Sequence, residues 1–163
     1  MVLLVVDDMP SRGFAARLAA SRPDAAPLAP GASPDFAAFR ERVEGRVAAA
    51  SGPVRLAGVG VGGVAACWVA AESPARVAAL TLLATPPTPE ETRRAVLPDE
   101  PALAAWDMPM EALTTYKGPA RVVDFEDDPS LSATRAMFWK AWLPQASYER
   151  RPRREAFDPA DLL

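Results

Sequence analysis

The run Val54-Arg55-Leu56-Ala57-Gly58-Val59-Gly60-Val61-Gly62-Gly63-Val64-Ala65-Ala66 constrains this chain more than any other stretch. An apolar segment leads into it, an Ala-rich segment leads out, and four glycines stand between them. Glycines so closely spaced mean that the backbone turns sharply or that something passes close to it. The run therefore reads as strand, tight turn and helix, which is one half of a βαβ unit.

The rest of the chain supplies the other units. Residues 2–6 are continuously apolar and rich in β-branched residues, as in a strand buried on both faces. Ser11 can cap a helix that Pro23 ends, and residues 25–29 form an edge strand, since Pro27 and Pro30 deny it ladder donors. Ser33-Pro34 opens a helix with Phe36, Phe39, Val43 and Val47 on one side and Arg40, Glu41, Arg42 and Glu44 on the other. Residues 76–84 and 120–125 are further strands, and residues 86–117 are Pro-rich with short helical turns near 90–95 and 110–114. A helix over 130–143 bears Leu131, Phe138 and Trp142, and a last short strand starts at 146–148. Alternating strands and helices with right-handed crossovers give an α/β fold, a three-layer sandwich around a mostly parallel sheet of about five or six strands. Residues 1–163 make one domain, without an internal repeat.

Composition bounds the function. A net charge of −3 argues against a nucleic-acid partner. No apolar run reaches the roughly 18 residues of a membrane span, and the opening residues are too short and acidic for a secretory signal, so a cytoplasmic protein is expected. The single cysteine, Cys67, lies in an apolar helical stretch and reads as a buried thiol. The chain has no histidine, hence neither the commonest general base nor the commonest transition-metal ligand. Neither a cofactor nor a metal is expected. The acids Asp124, Glu126, Asp127 and Asp128 read as a solvated turn, one of them capping the helix at Ser130. The basic run over 150–154 reads as a solvated tail.

Three readings of this stretch compete. Gly58, Gly60 and Gly63 satisfy GxGxxG, a dinucleotide fingerprint, but the next strand ends in Thr85 with no acid for a ribose hydroxyl. Asp7-Asp8 after the first strand matches the acidic pair of a receiver domain, yet the phosphoacceptor position is occupied by Gly58-Val59-Gly60. The third type is GxSxG, the nucleophile elbow, matched at Gly58 and Gly62 with Gly60 at the serine position. Downstream, the run from Val64 through Cys67-Trp68, Pro74-Ala75-Arg76-Val77 and Ala84-Thr85-Pro86-Pro87 resembles the α/β-hydrolase superfamily. Arg121-Val122-Val123-Asp124-Phe125-Glu126-Asp127-Asp128 resembles that family's strand and acidic turn. The resemblance implies that Asp128 (or, second, Asp127) holds the triad-acid position. The residues where the family's histidine would follow, 149–155, contain four arginines instead.

A triad needs a hydroxyl, an imidazole to deprotonate it and a carboxylate to hold the imidazole. Gly60 forms no acyl-enzyme, so the resemblance implies a non-catalytic protein with Gly60 and Asp128 as vestigial positions. The loop after the first strand (Asp8, Met9) and the backbone at Gly60 and Val61 would line a site for a small acyl or carboxylate ligand. An unknown protein partner or a homodimer is the other expectation, with Trp139 the most exposed of Phe138, Trp139 and Trp142. Two alternatives stand beside it: an unconventional ester or thioester hydrolase using Asp8, Asp128 or Cys67, and a nucleotide-cofactor domain built on the loop 58–63.

Overall fold

A computed structural model describes residues 1–6, 17, 20–22, 24–30, 35–95 and 101–152. Of the first helix expected from Ser11 only Arg17, Ala20, Ser21 and Arg22 are described, the first three helical; the rest of it, Asp8 and Met9 of the expected ligand loop, and the end of the basic run lie outside the described residues.

Six strands form one sheet: β1 (Leu3–Val6), β2 (Ala25–Leu28), β3 (Val54–Val59), β4 (Val77–Leu83), β5 (Ala120–Phe125) and β6 (Ser147–Arg151). Their order is β2-β1-β3-β4-β5-β6 and every neighbouring pair is parallel. The expected edge strand is indeed at the edge, and Pro27 lies in it. The chain runs one way from β1 to β2 and the other way from β3 onward, which puts the topological switch point between β1 and β3. Ligands of open α/β sheets bind in the crevice at that point, beyond the carboxyl ends of the strands.

Side chains alternate across the sheet and build two apolar faces. Leu4, Val6, Leu56, Leu80, Leu82 and Val122 pack with Phe39, Val43 and Val47 of α1 (Phe36–Ala49) and with the apolar residues of α2 (Gly62–Glu72). Leu3, Val5, Ala57, Val59, Leu83, Val123 and Phe125 form a second buried cluster on the opposite face. Burial on both faces is what a three-layer α/β sandwich requires. α2 is buried nearly all round, consistent with its Ala-rich sequence and its place beside the central strand. Cys67 is fully buried there, and burial pushes its thiol far up, so it is inert.

Three expectations change. α1 begins at Phe36 with Asp35 as its N-cap, the carboxylate accepting from the Ala37 N–H at 2.9 Å. The last helix, α5, covers only Arg135–Trp142, because Asp128 and Ser130 hydrogen-bond locally and hold the preceding residues in turns. Trp139 is not exposed but 1% accessible, for it shares the inward side of α5 with Arg135, one turn earlier. Met137 is the exposed large apolar residue on that helix. Between β4 and β5 the chain makes α3 (Pro89–Ala95) and the short α4 (Met110–Leu113), close to the two expected turns. No helix among the described residues is long and apolar enough to cross a membrane.

Candidate functional site

The elbow forms because three glycines each meet a different demand. Gly60 has φ 53°, in the left-handed region where a side chain is strained. Gly58, in β3, lets α2 lie directly on its own strand, since a Cβ there would stand 2.4 Å from Gly63 Cα. A Cβ on Gly63 would come within 2.0 Å of Thr85 Oγ1. The turn is closed by Gly63 N–H donating to the Gly60 carbonyl at 3.1 Å and Val64 N–H to the Val61 carbonyl at 2.9 Å. It is anchored to the neighbouring strand by Gly60 N–H donating to Leu83 O at 2.8 Å. The glycines at 58, 60 and 63 thus serve a left-handed turn and the close packing of α2 on the sheet.

Beside the elbow, β4 is followed by a second left-handed residue, Ala84, with φ 49°. Its N–H donates to Val123 O at 2.8 Å, which holds the strained backbone in place. Thr85 follows and is fully buried against Gly63, and its hydroxyl has no hydrogen-bond partner among the described residues. Buried hydroxyls are normally satisfied, so an orphan at this point is a notable polar group. Gly60 and Val61 are themselves buried. Asp8 and Met9 follow β1, whose Val6 pairs with Gly58, but they lie outside the described residues.

The acidic turn is not solvated as expected. Glu126 and Asp127 are exposed, but Asp124 and Asp128 are buried and face Arg135, whose side chain is also inaccessible. Arg135 Nε donates to Glu91 Oε2 at 2.6 Å. Its Nη1 donates to Asp124 Oδ1 at 3.0 Å and Asp128 Oδ2 at 3.1 Å, and its Nη2 to Ser130 Oγ at 2.8 Å. Asp128 Oδ1 accepts from the Ser130 N–H and hydroxyl, at 2.9 and 2.7 Å. Glu91 also accepts from Ser132 Oγ, and Asp124 Oδ2 accepts from Tyr148 OH at 2.7 Å. Both oxygens of the Asp128 carboxylate are therefore engaged.

One guanidinium faces three carboxylates here, and the titration behaviour follows. Burial raises Asp124 above the usual carboxylate range, with Arg135 and the Tyr148 hydroxyl opposing. For Arg135, burial works to lower the pKa, but the surrounding carboxylates more than offset it and the net shift is upward. Sequence reading missed Arg135 and Glu91 altogether. No local signal could have joined them, because the two are 44 residues apart. Among the described residues no group of acids, cysteines or histidines is arranged to hold a metal ion, and a guanidinium occupies the centre of the acidic cluster.

No protein-family model matches the chain, and no curated protein matches it. Solved structures do. A putative YdeN-like hydrolase from Pectobacterium atrosepticum SCRI1043 superposes with a TM-score of 0.71 at 18% identity, over 99% of this chain and 86% of the other. A lipase-esterase related protein from Clostridium acetobutylicum ATCC 824 gives 0.68 at 13% identity, over 93% and 85%. A thioesterase domain from the curacin biosynthetic pathway gives 0.63 at 14%, over 93% and 84%. The chain has the α/β-hydrolase fold.

Proposed function

We propose that this chain is a non-catalytic protein of α/β-hydrolase fold that acts by binding, either a protein partner (a second copy included) or a small acyl or carboxylate ligand at the elbow. The observation that carries this reading is Gly60, which stands at the turn between β3 and α2 with a left-handed backbone and no side chain. No hydroxyl there can form an acyl-enzyme, and no imidazole exists in the chain to activate one. Asp128, the remaining triad position, is bound to Arg135 and Ser130. The buried Thr85 hydroxyl beside the first turn of α2 supports the small-ligand mode, because it has no hydrogen-bond partner among the described residues. The burial of Gly60 and Val61 restricts such a ligand to a small one.

Two measurements test the reading. Hydrolysis of short-chain p-nitrophenyl esters, acyl thioesters and lactones should proceed at the buffer rate. Turnover abolished by Asp128→Asn in a variant that remains folded would refute the non-catalytic part. Titration with acetate and butyrate, followed by amide shifts of Gly60, Val61, Gly62 and Thr85, tests the ligand mode. Light scattering and crosslinking of the purified chain test self-association.

A further inference from the structure

At the end of the sheet opposite the elbow, the face that carries Leu3 changes character. Parallel sheets covered on both faces are apolar throughout their strands. Here the register puts Leu3, Arg55 and Ala79 side by side in one row, and Ala57, Thr81 and Arg121 in the next. The small residues Ala79 and Thr81 thus form a floor on β4, with an arginine from β3 on one side and one from β5 on the other. Strands lie about 4.8 Å apart, so the two arginine stems rise from backbones about 10 Å apart. The register between β3 and β4 also shifts between Val54 and Arg55, leaving Ala78 as an extra residue where the floor begins.

These residues, Val54 and Ala57 excepted, line a cavity of about 330 Å3 together with Pro119 and Ala120. That is the lower end of the range for small-molecule sites, which are mostly apolar with a few fixed polar groups. The two arginines are not equivalent. Arg121 is paired with Glu149. Arg55 is half-buried, and its guanidinium has no hydrogen-bond or ion-pair partner among the described residues. The Thr81 hydroxyl also has none. A half-buried, always-charged group beside an apolar floor calls for an anion with an apolar body.

We propose that this cavity is a second ligand site, distinct from the elbow, that takes a small amphipathic monocarboxylate, its carboxylate on Arg55 and Thr81 and its chain or ring over Leu3, Ala79 and Pro119. The charge complementarity is to Arg55 alone, because Arg121 is already neutralised. A single carboxylate is therefore matched, and a dianion is not. The site is independent of what the elbow binds.

Octanoate and phenylacetate serve as probes, with octanol and phenylacetamide as uncharged counterparts, titrated into the whole chain and followed by backbone amide shifts. The expected result is saturable shifts confined to Arg55, Ala79, Thr81 and Ala120, with the uncharged counterparts about tenfold weaker or more, as for a lost charged hydrogen bond. Arg55→Met should weaken octanoate by a similar factor, and Arg55→Lys by less. Ala79→Trp, which fills the floor, should abolish binding, each variant being checked for an unchanged unfolding midpoint. If a variant fails to fold, the wild-type comparison of acid with uncharged counterpart still decides. Absence of saturation at about 10 mM probe, shifts centred on Gly60 and Val61 instead, or equal affinity for the uncharged counterparts would each overturn the proposal.

Discussion

Arg135 Nη1 reaches Asp128 Oδ2 at 3.1 Å with both side chains shut away from water, so that carboxylate is neutralised from within the core. The same guanidinium joins α3 through Glu91 and β5 through Asp124, and Tyr148 of β6 closes the set. The cluster ties separate elements together. Its consequences are stability effects, which can be measured without any substrate.

Removing the guanidinium should be severe. Breaking a buried ion pair by deleting one partner costs about 3–5 kcal/mol, because the other charge stays buried and uncompensated. Arg135 has three carboxylate partners, so Arg135→Met belongs at the upper end of that range at neutral pH. Part of the loss should return in acid, where the stranded carboxylates can protonate. Urea unfolding at neutral and mildly acid pH checks this, and a loss below about 1 kcal/mol would show that the cluster is not a structural tie.

Asp124 gives a pH dependence of definite sign. Its folded-state pKa is raised, chiefly by burial. A carboxyl whose folded pKa lies above its unfolded one contributes stability below the unfolded pKa, and that contribution is lost as pH rises through the folded value. Asp124→Asn cannot ionise and has no such loss. The stability of the variant relative to the wild type should therefore increase from about pH 4 towards neutrality. Denaturant titrations of both proteins across that window give the difference directly, and a flat or falling difference would contradict the assignment.

How far the sequence spoke depended on how local the physics is. The β3 turn and α2 were legible because glycines, an apolar run and an Ala-rich run act within a few residues of one another. β5 was read with its observed bounds for the same reason. Helix α5 was read too long, since Asp128 and Ser130 withdraw backbone groups from it through side-chain bonds that no apolar periodicity reveals. Trp139 was read as exposed because three bulky residues at 138, 139 and 142 compete for one side. Arg135 decides the competition, as its ion pairs fix which side faces inward. The Glu91 contact and the Arg55 cavity depend on strand order and register. Those are set by the whole sheet and not by any segment.

Both tyrosines of the chain should resist alkali. Tyr116 is fully buried and hydrogen-bonds the carbonyls of Val77 and Pro119, and burial pushes its pKa up to about 12. Tyr148 is raised as well, by burial and by its bond to Asp124. A spectrophotometric titration of the native chain should place Tyr116 near 12 and Tyr148 above the ordinary value of about 10. In denaturant both should titrate there. A native step at that value would mean that one hydroxyl is not held as described.

The elbow itself offers a test that separates strain from chemistry. Gly60→Ser creates a GxSxG motif, but places the serine at φ 53° in a chain without histidine. The left-handed backbone should cost about 1–2 kcal/mol, and esterase activity should not rise above the Gly60 protein. Gly63→Ala addresses packing at the same turn, since its Cβ would meet Thr85 Oγ1 at 2.0 Å and Thr85 Cγ2 at 2.6 Å. Overpacking of this kind costs about 1–3 kcal/mol. Thr85→Ala removes both of those atoms but leaves its Cβ, 2.8 Å from the new methyl, so relief in the double variant should be partial. A double-mutant cycle of Gly63→Ala with Thr85→Ala should return a coupling of about 1 kcal/mol, in the sense that the second change softens the first. Additive losses would mean that α2 moves off β4 instead, and that the elbow is less tightly held than the Gly58 and Gly63 contacts require.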